Sequence, residues 1–427
     1  MTSNTVELII LVVKEWRSAV PSPKRTLLLE HALDLSRSMF SATGEDLIGL
    51  ECEWLVRDWR EPQQRPRPAA LESVAESPLP GGGRITLEPG GQLELSSFPA
   101  VAVSRAIDQV NHDEQVIHSR LLGLGLNFEI RAVERCRPPQ RILRRPRYAS
   151  MEAYFDARNP VGRWMMCNTA SLQVNVSNDA CDPLHRWYVL NRVAPALVTM
   201  FANSRGTDAS GQTWASLRQG IWMSMDPGRT APVTLDLVPE EAWLGYALLA
   251  DVMYVPDPDD CTRGIGLAPG MSFGAWMRDG SDFGYPTIDD LRYHFSTLFP
   301  PVRPRGWLEL RVLDALPSWM RTAAALTVAT IVQREVSAEI CATIRDLSDR
   351  HIAAARDGFA DPIIATAVRE LSRIVLENVH RVTDRAEHLD ALFTFVARYT
   401  SQGISPGDEA VQRLPVHLTG AHGAAVS

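Results

Sequence analysis

The chain has 427 residues, 45% of them hydrophobic and 22% charged, a balance that fits a folded globular protein and excludes a disordered or membrane-embedded one. Its formal net charge of −8 argues against nucleic acid or an anionic membrane surface as the main partner. An acidic chain still binds polyphosphate when cations mediate the contact.

The six cysteines (Cys52, Cys136, Cys167, Cys181, Cys261 and Cys341) are scattered, with no CxxC pair and no histidines at zinc spacing, so a reduced compartment is expected. The start lacks a basic region, and the apolar run Leu8 to Val13 is only six residues long. A signal peptide is therefore not expected, and a cytoplasmic location is.

In chain order, residues 5–40 read as one or two helices, with Leu27, Leu28, His31, Ala32 and Leu35 on one stripe. A strand is expected from 47 to 56. Residues 61–83 are Pro-rich, end in Gly81-Gly82-Gly83 and read as a surface loop. Those glycines precede a strand and open no helix, so they are not a phosphate loop. A hairpin is expected over 85–97, turning at Pro89-Gly90-Gly91, then a helix over 99–123 and a basic connection over 125–150. A strand at 169–177 precedes a helix near 184–203. Short helices and turns fill 213–300, and a last strand runs 307–314. From 319 to about 400 the pattern is helical, with Ile364, Val368, Leu371 and Val375 in register. The expected organisation is a catalytic unit over 1–320, a helical region over 321–400 packed on it, and a disordered tail over 401–427. Strands broken by helices without βαβ spacing indicate an α+β fold with a largely antiparallel sheet.

Four strands share an unusual face. Alternation in Glu51-Cys52-Glu53-Trp54 puts two carboxylates on one side and Cys52 and Trp54 on the other. In Thr86-Leu87-Glu88 and Gln92-Leu93-Glu94-Leu95-Ser96 the leucines oppose Glu88, Gln92, Glu94 and Ser96. Ser171 to Ser177 splits the same way, and Leu308-Glu309-Leu310-Arg311 carries Glu309 and Arg311 on its polar side. Any one such strand is an ordinary half-wet strand. Together they carry five glutamates and a single basic residue, and like charges on one sheet repel. A bound cation removes that conflict, and oxygen donors without His or thiolate favour Mg²⁺ or Mn²⁺. Magnesium held by few carboxylates shares its shell with substrate phosphates, which points to a metal–nucleotide site. Cys52 faces the apolar side and reads as a packed thiol.

At these residues the sequence resembles the glutamate–cysteine ligase family shared by plants and many bacteria. Gly49-Leu50-Glu51-Cys52-Glu53 is similar to the family's G-x-E-x-E, and Thr86 to Ser96 to its TLEPGGQ-x-ELS. Arg147-Tyr148, Thr169 to Asn175, Ala202-Asn203-Ser204, Arg218 with Ile221-Trp222, Arg229-Thr230, Leu298 to Arg303 and Leu308 to Arg311 follow in family order. Residues 205–213 and Leu313-Asp314-Ala315 depart from the plant pattern. The resemblance implies a glutamine-synthetase-like curved sheet flanked by helices, and an ATP-dependent ligase. It would join the γ-carboxylate of glutamate to the amine of cysteine through a γ-glutamyl phosphate.

By the same resemblance, Glu51, Glu53, Glu88, Glu94 and Glu309 would hold Mg²⁺, and Arg311 would stabilise the transferring phosphoryl group. Gln173, Asn175 and Arg311 would meet the nucleotide. Arg147, Tyr148, Arg218, Trp222 and Tyr254 would line the amino-acid pocket. In actinobacteria this enzyme type is associated with ergothioneine synthesis, and the Arg-rich, Ala-rich composition implies a high-GC bacterium. The readings weighed against this are a ligase using another amine, a metal-dependent hydrolase and a degenerate binding protein.

Overall fold

The alternating segments pair into a seven-stranded antiparallel sheet. Its strands are β1 (Ile48–Asp58), β2 (Arg84–Leu87), β3 (Leu93–Ser96), β4 (Leu126–Glu129), β5 (Ser171–Ser177), β6 (Val302–Pro304) and β7 (Trp307–Asp314). The structure is a computed structural model, and it describes residues 27–412 apart from 43, 258, 261 and 262. The strand order is β6-β7-β5-β1-β3-β2, and β4 pairs the far half of β1.

Register decides what the sheet presents. Glu53 stands opposite Glu94, Glu51 opposite both Ser96 and Gln173, and Glu309 opposite both Asn175 and Arg303. Directly opposed residues share a face, so these polar side chains merge into one patch. Between Leu310 and Leu313 the pairing of β7 with β5 slips by one residue. That bulge brings Leu313 onto the core face opposite Leu172, although it stands three residues after core-facing Leu310.

Around the sheet stand helices α1 (Val103–Gly123), α2 (Pro146–Arg158), α3 (Gly162–Asn168), α4 (His185–Met200), α5 (Leu217–Met225), α6 (Ser318–Ile331) and α7 (His351–Arg356). The other face of the sheet is apolar and fully buried at Leu50, Cys52, Trp54, Leu93, Leu95, Val174 and Leu310. Helices α1, α4 and α6 contact it through β1, β7 and β5. Each large side chain taken from water there contributes about 1.5–3 kcal/mol. Helices Pro362–Asn378 and Ala386–Arg398 pack on α4 and α6 in turn.

Several expectations are corrected. The loop expected over 61–83 contains a helix, Pro68–Ala75, with Pro at its first turn. The connection over 125–150 contains β4 and the start of α2, and β6 was not foreseen. Each of these two strands is only three or four residues long, lacks a Pro-Gly-Gly turn of the kind that marks β2 and β3, and forms by pairing with a longer neighbour, β1 or β7. The tail expected from 401 is ordered in its first part, where Ser405, Pro406 and Asp408 start a helix. Gly407 N donates to Ala202 O at 2.9 Å, and Asp408 pairs with Arg205 at 2.7 Å. Residues 413–427, and the part of the first helical stretch before 27, lie outside the described residues. Among the described residues no helix is long and apolar enough to cross a membrane.

Candidate active site

A cavity of about 340 Å³ opens between the polar face of the sheet, helices α2, α3 and α5, and the segment 296–305. One wall is acidic: Glu51 and Glu53 from β1, Glu94 from β3, and Glu88 from the turn after β2. That turn explains the TLEPGGQ segment. Gly91 has φ +86°, which a side chain would strain, and a Cβ on Gly90 would meet Cys167 O at 2.4 Å. Gln92 donates to Met166 O at 3.2 Å and Thr169 O at 3.0 Å, fastening the hairpin to the end of α3. With both flanks held, Glu88 projects into the cavity.

The four carboxylates resist ionisation. Burial, then Glu309 and Glu94, raises Glu51 to about 7. Burial also raises Glu53, and burial with the charge of Glu53 raises Glu94. Glu88 is lifted well above the usual range by burial, Glu94 and Glu53. Their hydrogen bonds only partly compensate: Asn175 Nδ2 donates to Glu51 at 2.9 Å, Ser171 N to Glu53 at 2.8 Å and Thr86 Oγ1 to Glu94 at 2.7 Å.

The other side is basic, lined by Arg147, Arg303, Arg305 and Arg311. Arg311 Nη1 donates to Gln173 Oε1 at 2.6 Å, and its guanidinium lies 5.6 Å from the Trp222 ring centre and 5.8 Å from that of Phe299. Arg147 donates to Ser296 O at 3.2 Å and stands 5.2 Å over the Tyr293 ring. Helix α5 is placed from its first turn. Ser216 caps it, and Asp314 at the end of β7 accepts from Asn203 N, Ser204 Oγ and Ser216 Oγ at 2.7–3.0 Å. The Ala202-Asn203-Ser204 turn therefore ties α5 to the sheet. Arg229 does comparable work nearby: wholly buried, it bonds Asp226 at 3.0 Å and Thr297 O at 3.1 Å, which fixes the loop carrying Phe299.

Of the residues expected from sequence, Glu51, Glu53, Glu88, Glu94, Arg147, Tyr148, Gln173, Trp222 and Arg311 line this one cavity. Four do not. Glu309, expected among the metal ligands, is fully buried and ion-paired, with Arg303 and Arg305 each at 2.6 Å and Arg311 at 3.4 Å. Burial pushes its carboxyl up, but Arg303, Arg311 and Arg305 prevail and hold it at about 2. It is the counter-charge of the basic wall, because β6 sets Arg303 directly opposite it. Asn175 orients Glu51 from beside the cavity. Arg218 lies behind the wall, 2% exposed, donating to Arg311 O at 3.1 Å; its Nη1 is 3.9 Å from Asp314, and neither Nε nor Nη1 makes a hydrogen bond. Tyr254 packs on Tyr293 at 5.6 Å, one ring further back from Arg147.

Sequence reading assigned no role to Arg303, Arg305, Phe299 or the methionines Met151, Met165 and Met166, all of which line the cavity. Phe299 and Arg303 sat within a recognised segment; the others carry no local signal, since only tertiary packing brings them together. Among the described residues no three His, Cys, Asp or Glu side chains converge closely enough to hold one ion by themselves. The donor set still fits magnesium. Glu53 stands directly opposite Glu94, with Glu88 and Glu51 beside them, and Mg²⁺ takes one or two carboxylates and completes its shell with water and phosphate.

An acidic wall thus faces arginines across the polar face of an open antiparallel sheet, a site suited to a ligase that handles a metal-bound polyphosphate. The fold matches the crystal structure of a glutamate–cysteine ligase from Francisella tularensis in complex with AMP, with a TM-score of 0.54 and 13% identity, over 87% of this chain and 85% of the other. The chain belongs to glutamate–cysteine ligase family 2 (GCS2), which it matches over residues 47–427. Glutamate–cysteine ligase EgtA of Mycolicibacterium smegmatis is 33% identical over 86% of this chain and 87% of its own. The EgtA of Mycobacterium tuberculosis is 34% identical over 86% of both. The chloroplastic glutamate–cysteine ligase of Medicago truncatula is 29% identical over 57% of this chain and 49% of its own.

Proposed function

We propose that this protein uses ATP and Mg²⁺ to form γ-glutamylcysteine from glutamate and cysteine, as a step of ergothioneine synthesis. The observation that carries the reading is the pairing, in one cavity, of four proton-retaining carboxylates with four arginines. Either wall alone would be costly to hold next to water-poor surroundings; a magnesium triphosphate satisfies both at once. Glu51, Glu53, Glu88 and Glu94 would hold the ions, which when bound neutralise the triphosphate.

The chain's own groups then account for two steps. A γ-carboxylate oxygen of glutamate attacks the γ-phosphorus of ATP; the P–O bond to ADP breaks, leaving an acyl phosphate. The amine nitrogen of cysteine attacks the acyl carbon, loses a proton, and inorganic phosphate leaves with the C–O bonding pair. Carboxylate is a poor acyl donor, so phosphorylation supplies the leaving group while the protein supplies position and charge. Arg311, with Arg303 and Arg305 behind it, stabilises charge on the moving phosphoryl group. Arg147 would hold the α-carboxylate of glutamate, backed by Arg218, which pairs with Asp314 at 3.9 Å and keeps two nitrogens without a hydrogen bond. Trp222 and Tyr148 shape that end of the pocket.

The ligase assignment of the EgtA relatives supports the cysteine substrate and the pathway. ADP release measured with glutamate and a panel of amines tests it: cysteine should be preferred strongly. Turnover that needs no ATP would favour a hydrolase, and indifference to cysteine would favour another amine.

A further inference from the structure

We propose that His351 is a positioning residue for Arg311, acting through one ordered water held between the C-terminal helical region and the catalytic sheet. The inference rests on the assignment of Arg311 to phosphoryl transfer.

Helix α7 docks on the start of α5: Ala215 N donates to Arg356 O at 3.1 Å and Ser216 N to Ala355 O at 2.9 Å. The docking drives His351 into the interior, where it is 3% exposed and neither ring nitrogen has a protein partner. A neutral imidazole presents one donor and one acceptor, and burying both unmade is costly. Buried polar groups of this kind ordinarily have a water as partner. A second cavity of about 20 Å³ lies here, lined by His351, Gln219, Trp222, Phe299 and Arg311. One water needs about 10–15 Å³ and at least two polar partners.

Arg311 supplies the other partner, because its Nε is also buried without one. A water accepting from Arg311 Nε–H and donating to the imidazole lone pair satisfies the guanidinium nitrogen and the acceptor of the imidazole. Trp222, Phe299 and Arg311 line this cavity and the larger one alike, so the water stands at the back of the guanidinium that works at the front. Gln173 fixes only Nη1 of that guanidinium. A second anchor at Nε restrains its rotation, which a phosphoryl-transfer contact requires.

His351→Leu removes the polar edge and His351→Gln keeps one. Steady-state kinetics should show kcat lowered about tenfold in His351→Leu, the worth of one charge-assisted hydrogen bond, with KM for glutamate and ATP unchanged. His351→Gln should recover most of kcat. A purely structural histidine would lower thermal stability in both variants without separating kcat from KM. Wild-type kcat in His351→Leu, or equal loss in the two variants, overturns the proposal. If His351→Leu does not fold, a high-resolution crystal structure of the wild type decides: water bonded to both residues supports it, and a dry cavity overturns it. Arg311→Lys measured alongside separates the two levels. Undiminished kcat there removes the role of Arg311, whereas loss there with no effect at His351 removes only this proposal.

Discussion

Glu51→Gln keeps the side-chain shape, removes one charge from the acidic wall, and has a consequence for stability as well as for turnover. Burial and the neighbouring Glu309 and Glu94 raise the Glu51 carboxyl from 4.5 to about 7. The folded protein therefore holds this proton more tightly than the unfolded chain does. The stabilising contribution is complete below about pH 4.5 and is lost as pH rises to about 7. At about 1.4 kcal/mol per pH unit, that interval is worth about 3 kcal/mol. Urea unfolding in the presence of a chelator, on both sides of this interval, should show the wild type losing stability as pH rises. Glu51→Gln should lose about 3 kcal/mol less over the same range. Adding magnesium with ATP should restore the wild type at neutral pH and do little for the variant, and ADP release by the variant should fall to background. Identical pH slopes for the two metal-free proteins would refute the reasoning, because Glu51 would then be neither buried with like charges nor short of a counter-ion.

Removing the Glu309 charge acts in the opposite sense. Glu309→Gln strands the guanidinium of buried Arg303 and should destabilise by about 3 kcal/mol at neutral pH, read from chemical unfolding. Its contribution in the wild type should be present above about 4.5 and fade as pH falls toward 2. Arg311→Lys keeps the charge but loses the fork that reaches Gln173, so kcat should drop about tenfold or more while KM for glutamate holds. Equal changes in both constants would place Arg311 in ground-state binding instead. Cys52→Ala should remain active and lose about 1–2 kcal/mol of stability, since Cys52 packs on the core face; an inactive folded variant would mean the β1 register is wrong.

Much of the acidic wall is legible in the amino-acid sequence, and the reason is local. A side chain's face on a strand follows from alternation alone, so Glu51 and Glu53 against Cys52 and Trp54, or Glu94 against Leu93 and Leu95, require no knowledge of the neighbours. The turn at Pro89-Gly90-Gly91 is equally readable, because glycine there answers a backbone demand. What alternation leaves open is which strands meet, and at what register. Nothing in the sequence around Glu309 says that β6 will set Arg303 across from it and that Arg305 will reach its other oxygen. The carboxylate of Glu309 thus also serves as counter-ion to the opposite wall. Arg218, Tyr254 and His351 show the same limit, for depth is a property of packing between distant segments. Helix α5 is held by Asp314 from nearly a hundred residues away, and α7 closes over it from beyond the sheet. Charge and periodicity are written in single stretches of chain, whereas the partner of a buried charge is chosen only when those stretches meet.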